Sequence, residues 1–174
     1  MPALPNYPKS STVLAMNSNT PISVLGPENT ICNLASGSKK NLFETVAKHI
    51  AKQTHNIAWE EIFNALIARE KYGTTGFGNG IAIPHCRLKS CKKAIGVFVK
   101  LKTPIDFDAL DHEPVDLVFV LIVPEKAHDE HLNLLAQIAG VLDKNPYRIS
   151  LRDCHDHLDL FKRFEKMLLS TPCN

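Results

Sequence analysis

Residues 115–123 read Val-Asp-Leu-Val-Phe-Val-Leu-Ile-Val. This nearly continuous apolar run decides the fold. It is far shorter than the ~18 apolar residues a membrane span needs, and its β-branched and aromatic side chains suit a strand buried on both faces of a sheet. Upstream, Ala94-Ile-Gly-Val-Phe-Val-Lys-Leu101 predicts a second strand, and Ile81-Ala82-Ile83 a short third. Helical periodicity surrounds these strands. Ser38 caps a helix over 39–53 whose apolar face is Leu42, Val46, Ala47 and Ile50. A second helix over 58–71 carries Trp59, Ile62, Phe63 and Leu66 and stops at Gly73. Further helices are predicted over 127–142 and 156–169. Helices that alternate with central strands give an α/β fold: a single domain in which a mixed β-sheet is flanked by α-helices. That domain is expected to span 21–170 and to open on Pro21-Ile-Ser-Val-Leu25 as an extended or turn segment. Residues 1–20, with Pro2, Pro5, Pro8 and a Ser/Asn/Thr-rich stretch, read as a disordered tail.

The 174 residues suffice for one self-supporting core. Twenty Lys and Arg stand against eighteen Asp and Glu, a balance of +2 that argues against a dedicated nucleic-acid binder. Five cysteines (Cys32, Cys86, Cys91, Cys154, Cys173) at irregular spacing, with no CxxC, support neither a disulfide framework nor a zinc site. Prolines interrupt the N-terminus where a signal peptide needs an apolar stretch. The reading is a reduced, cytoplasmic protein that inserts in no membrane. Six basic residues between 87 and 102 precede five acids between 106 and 116, a pattern able to steer a protein partner.

The chemistry concentrates in Thr75-Gly-Phe-Gly-Asn-Gly-Ile-Ala-Ile-Pro-His85. Alternate glycines let a backbone approach a ligand closely, so amides of Thr75, Gly76, Gly78, Asn79 and Gly80 are candidates to contact a phosphate; a tight turn that needs glycine is the alternative. The stretch is neither a Walker loop nor G-x-G-x-x-G, because no Gly-Lys-Ser/Thr follows and Ile81 and Ile83 replace the third glycine. His85, fixed by Pro84 at the end of a short strand, offers a neutral imidazole that can accept and pass on a phosphoryl group. His131 shares a helix stripe with Leu135, Ile138 and Leu142, within about 40° at helical spacing. It is either a core histidine or a donor to phosphate on His85. Arg69, one turn before the glycine stretch, is either a solvated helix-end charge or a clamp on phosphoryl oxygens. Cys86 reads as a buried filler or a reactive thiol. His128 and His131, at i, i+3, fit no ligand spacing well, and no metal or cofactor is expected.

These residues carry a resemblance. Ala68-Arg-Glu-Lys71, Thr74-Thr-Gly-Phe-Gly-Asn-Gly-Ile-Ala-Ile-Pro-His85, Gly96-Val-Phe-Val99, Thr103-Pro-Ile-Asp-Phe-Asp-Ala109, Pro114-Val-Asp-Leu-Val-Phe119, Val123-Pro124 and His131-Leu132 occur in the order seen in enzyme IIA proteins of the phosphotransferase system, fructose/mannitol class. Within that class the chain resembles the nitrogen-regulatory branch. The resemblance implies phosphorylation of His85 at Nε2, with His131 and Arg69 beside it. It implies a small histidine-phosphorylated, HPr-like phosphocarrier as donor and phosphoenolpyruvate as ultimate source. The output it implies is regulatory, with phosphorylation state controlling partners such as potassium transport or sensor components. Two alternatives stay open: a sugar-specific enzyme IIA that passes phosphate to a IIB domain, and a binding-only regulator without turnover.

Overall fold

The structure is a computed structural model that describes residues 20–126 and 129–172. Among the described residues, six strands and six α-helices follow in order: α1 (Pro21–Val24), β1 (Thr30–Leu34), α2 (Lys39–Thr54), α3 (Trp59–Lys71), β2 (Gly76–Gly78), β3 (Ile81–Ala82), β4 (His85–Leu88), β5 (Ile95–Ile105), β6 (Val115–Pro124), α4 (Asp129–Leu142), α5 (Asn145–Arg152) and α6 (His157–Ser170). The strands form one mixed sheet in the order β1-β5-β6-β3-β2, with β4 also on β6. Strand β6 runs antiparallel to β5 and parallel to β3 and β4, so the 115–123 run is the centre of the sheet.

Its alternation builds two cores, because successive strand residues point to opposite faces. Val118, Val120 and Ile122, with Val97 and Val99 of β5, meet Leu42, Phe43, Val46 and Ile50 of α2 and Ile62 and Leu66 of α3. Leu117, Phe119, Leu121 and Val123, with Phe98, meet Leu134 and Ile138 of α4 and Leu160 and Phe164 of α6. Phe98 and Phe164 stack at 4.3 Å between ring centroids. Each fully buried large side chain contributes about 1.5–3 kcal/mol. Both cores rest on the same two strands, so the helical layers form one cooperative unit.

Four elements differ from the sequence reading. Residues 21–24, expected as an extended or turn segment, form one helical turn, because Thr20 and Ser23 close a reciprocal capping box and Pro21 is preset for the first helical position. Strand β1, read as no element, pairs parallel with β5 at the sheet edge. Helix α5 was also missed; it carries Pro146 in its first turn, and only Arg148 and Leu151 are buried. His85 does not simply follow a strand: after a break at Ile83-Pro84 it opens β4, which continues along the edge of β6 with His85 opposite Leu121. Of the tail expected over 1–20, Thr20 is the cap of α1 and residues 1–19 lie outside the described residues, as do His128 and Cys173.

Candidate functional site

The glycine-rich stretch is a hairpin. Gly76–Gly78 pairs antiparallel with Ile81-Ala82, and Asn79 and Gly80, at φ 56° and 79°, make the turn. Both φ values are positive, as an Asn-Gly turn of the I′ type requires. The hairpin delivers Ile83-Pro84-His85 to the β6 edge, since Ile83 N–H donates to the Thr75 carbonyl at 3.0 Å and Leu121 N–H to the Pro84 carbonyl at 2.9 Å.

Two contacts define the His85 ring. Its Nδ1 lies 2.9 Å from the Ile83 carbonyl. A carbonyl only accepts, so Nδ1 carries the proton and Nε2 keeps its lone pair. Arg69 Nε–H donates to that Nε2 at 3.4 Å, while Arg69 Nη1 caps the end of α3 by donating to the Gly73 carbonyl at 3.1 Å. Arg69 therefore caps the helix end and also reaches the imidazole. Burial pushes the His85 pKa below the usual histidine value. The Ile83 carbonyl opposes that shift, and the positive charge of Arg69 adds to it. The result is a neutral imidazole at pH 7 with one available nitrogen.

His131 is 4% exposed and lines, with Arg69, His85 and Leu135, a cavity of about 470 Å³. Residues from distant parts of the chain thus meet because α4 packs on the face to which His85 points. A second cavity of about 510 Å³ shares Arg69, His85 and Leu135 and adds Thr74, Thr75, Gly76 and Phe77. Large exposed side chains rim both: Tyr72 and Leu132 the first, Phe77 and Leu110 the second.

The expected loop cradle divides. Thr75 and Gly76 face the His85 side, but the Thr75 amide donates to Glu70 Oε1 at 3.0 Å and the Gly76 amide to Thr74 Oγ1 at 3.0 Å. Asn79 donates its amide to Asp111 Oδ2 at 2.8 Å. Asn79 and Gly80 line a separate cleft with Asp116 and Arg152, and Gly78 pairs with Ile81 in the hairpin. The turn reading therefore holds for Gly78, Asn79 and Gly80, because their backbones close a hairpin on the far side from the imidazole. Cys86 points into the core beneath α2 and α3, and burial pushes its thiol up to about 12, so it is a packing residue. Among the described residues no group of three or more His, Cys, Asp or Glu could hold a metal ion. No helix there is long and apolar enough to cross a membrane.

Glu70 went unassigned in the sequence, although it adjoins Arg69. Its side chain is only 8% exposed and pairs with Lys39 at 3.0 Å. Its acidity in a polar motif carried no hint of burial.

Residues 23–167 match the family described as "Phosphoenolpyruvate-dependent sugar phosphotransferase system, EIIA 2". The chain is similar to a protein of Pseudomonas aeruginosa named "Nitrogen regulatory protein", 51% identical over 129 residues that cover 74% of this chain and 84% of that one. An Escherichia coli protein of the same name is 46% identical over 141 residues, 80% of this chain and 86% of that one. Among solved structures, the crystal structure of nitrogen regulatory protein IIA-Ntr from Neisseria meningitidis superposes with a TM-score of 0.78 at 35% identity, covering 84% of this chain and 97% of that one.

Proposed function

This chain belongs to the phosphotransferase-system EIIA 2 family, and on that premise we propose that it is a histidine phosphocarrier of the nitrogen-regulatory kind with His85 as acceptor. The carrying observation is the His85 ring. Nδ1 is tied to a carbonyl, and Nε2 presents a lone pair beside a guanidinium at the wall of an open cavity.

In the proposed step the Nε2 lone pair attacks the phosphorus of a phosphohistidine on an HPr-like carrier. A new P–Nε2 bond forms, the donor's P–N bond breaks, and its electron pair returns to the donor imidazole. The Ile83 carbonyl steadies the positive charge that grows on the ring. Arg69 neutralises charge on the phosphoryl oxygens, and His131 donates to one of them. Catalysis of this kind is mostly positioning and charge stabilisation. The apolar rim of Tyr72, Phe77, Leu110 and Leu132 supports docking of a protein donor, since exposed large apolar side chains gathered at one site mark an interaction surface. The likeness to nitrogen regulatory proteins supports a regulatory output, in which phosphorylation state sets the affinity for partners such as potassium transport or sensor components in the cytoplasm. The working unit is proposed as residues 21–170.

The test is phosphotransfer from phosphoenolpyruvate through enzyme I and the phosphocarrier, followed by intact mass. An acid-labile, alkali-stable phosphate on wild type and none on His85→Ala is expected. No transfer from either a nitrogen-branch or a sugar-branch carrier would refute the reading.

A further inference from the structure

Glu70 sits in the last turn of α3, yet its carboxylate is turned inward and accepts three hydrogen bonds. Lys39 Nζ donates to Oε1 at 3.0 Å, the Thr75 amide to Oε1 at 3.0 Å, and the Thr75 hydroxyl to Oε2 at 2.6 Å. Thr75 in turn holds Ile83 through the bond from Ile83 N–H to the Thr75 carbonyl, and the Ile83 carbonyl accepts Nδ1–H of His85. A part-buried ion pair is thereby connected, link by link, to the His85 ring.

The links bear on His85 through the backbone of Ile83, whose side chain is buried in the second core. It falls in the gap between β3 and β4, outside the ladder to β6. Pro84 follows it and has no N–H. The backbone through Ile83, whose carbonyl faces Nδ1, is therefore held on one side by the tie to Thr75 and on the other by the bond from Leu121 N–H to the Pro84 carbonyl. A free histidine side chain prefers its proton on Nε2, the atom that must carry a lone pair here.

We propose that Lys39, Glu70 and Thr75 form a positioning network for His85, fixing the Ile83 carbonyl where it holds the ring proton on Nδ1 and so reserves Nε2 for the phosphoryl group. Lys39 is the counter-charge that faces the inward-turned carboxylate of Glu70. Its ammonium also pairs with Asp108 at 3.1 Å and lies over the Phe107 ring. The transferring role of Nε2 rests on the function proposed above; the tautomer does not.

The experiment reads the ring directly. Long-range proton–nitrogen spectra of ¹⁵N-labelled full chain report which His85 nitrogen is protonated, with no donor present. Initial phosphotransfer rates are measured on the same samples. Wild type is expected to show Nδ1–H. In Glu70→Gln and Thr75→Val the Nε2–H form should appear, with transfer about five- to ten-fold slower, the size of one net hydrogen bond. Thr75→Ser, which keeps the hydroxyl, should restore both readouts. A His85 tautomer unchanged in folded Glu70→Gln would overturn the proposal, as would Thr75→Ser behaving like Thr75→Val. Should Glu70→Gln fail to fold, Thr75→Val carries the same test, since it removes only the contact to Oε2. A network-dependent tautomer in a wild type that accepts no phosphate would support the positioning and refute the carrier reading alone.

Discussion

Replacing Arg69 by Met keeps the aliphatic stem and removes the guanidinium, which separates two roles that differ in size. The first is structural: Arg69 Nη1 caps α3 at the Gly73 carbonyl in an exposed hydrogen bond. Its loss should cost about 0.5–1 kcal/mol, or roughly 1–4 °C in Tm for a chain of this length. The second is chemical. Nε lies 3.4 Å from His85 Nε2, so a phosphoryl group arriving at that nitrogen has its oxygens within reach of the guanidinium. A hydrogen bond to a charged group contributes about 1.5–3 kcal/mol, and at 1.36 kcal/mol per tenfold the transfer rate should fall about 10- to 150-fold. Rapid-quench phosphotransfer from a phosphorylated carrier measures that rate, and thermal unfolding measures the cap. Arg69→Lys should recover only part of the loss, because an ammonium lacks the planar fork that meets two oxygens together. Removing the positive charge should also raise the His85 pKa, since Arg69 is one of the groups that depress it. A rate within about threefold of wild type, equivalent to roughly 0.65 kcal/mol, would refute the assignment of Arg69 to the phosphoryl group.

The depressed His85 pKa makes two pH predictions. Acceptor activity should hold as pH falls through the usual histidine range and decline only below it, by NMR titration and transfer rate together. Because the unfolded chain protonates first, His85's contribution to stability is intact above about pH 6.5 and is lost as pH falls towards the lowered folded value. Cys86, its thiol pushed up to about 12 by burial, should resist alkylation in the native protein at pH 8 and react on denaturation, read by peptide mass. Gly80→Ala should lower stability by about 1–3 kcal/mol in denaturant titrations, since a Cβ there would lie 2.3 Å from Arg152 Nη2 at a φ of +79°.

Much of the fold is legible in the sequence because its central elements carry their own periodicity. The 115–123 run needs no partner to be read as a buried strand. Helices α2 and α3 show their stripes over four and three turns, and the observed ends differ from the expected ones by a residue. Strand β1 is the contrary case: half-exposed, only five residues long and with Asn33 at φ 58°, it becomes a strand because β5 offers it an edge. Helix α5 is too short and too polar to announce itself. Its Arg148 is buried to cap carbonyls of α4 at Leu142 and Asp143, a role that exists only once the two helices meet. The first turn, α1, did leave a signal in Thr20-Pro21, which the reading of the segment as extended or turn passed over.

For the site, the motif order that carries the resemblance singled out His85, His131 and Arg69, while residue type alone left His131 and Arg69 open between structural and functional roles. Whether they meet was a matter of tertiary structure: β4 had to align on β6, and α4 had to lie across that face, before residues 69, 85 and 131 could wall one cavity. The glycine stretch shows where local reading runs out. Its sequence allows amides to converge on an anion or a hairpin to close, and packing chose by supplying acceptors for them in Glu70, Thr74 and Asp111. The sequence by itself determined the central strand, the main helices and the choice of His85 as the candidate acceptor. Which of the two nitrogens keeps its lone pair was decided by the folded chain, since a tautomer is set by the groups around the ring, and those come from contacts that only the assembled sheet provides.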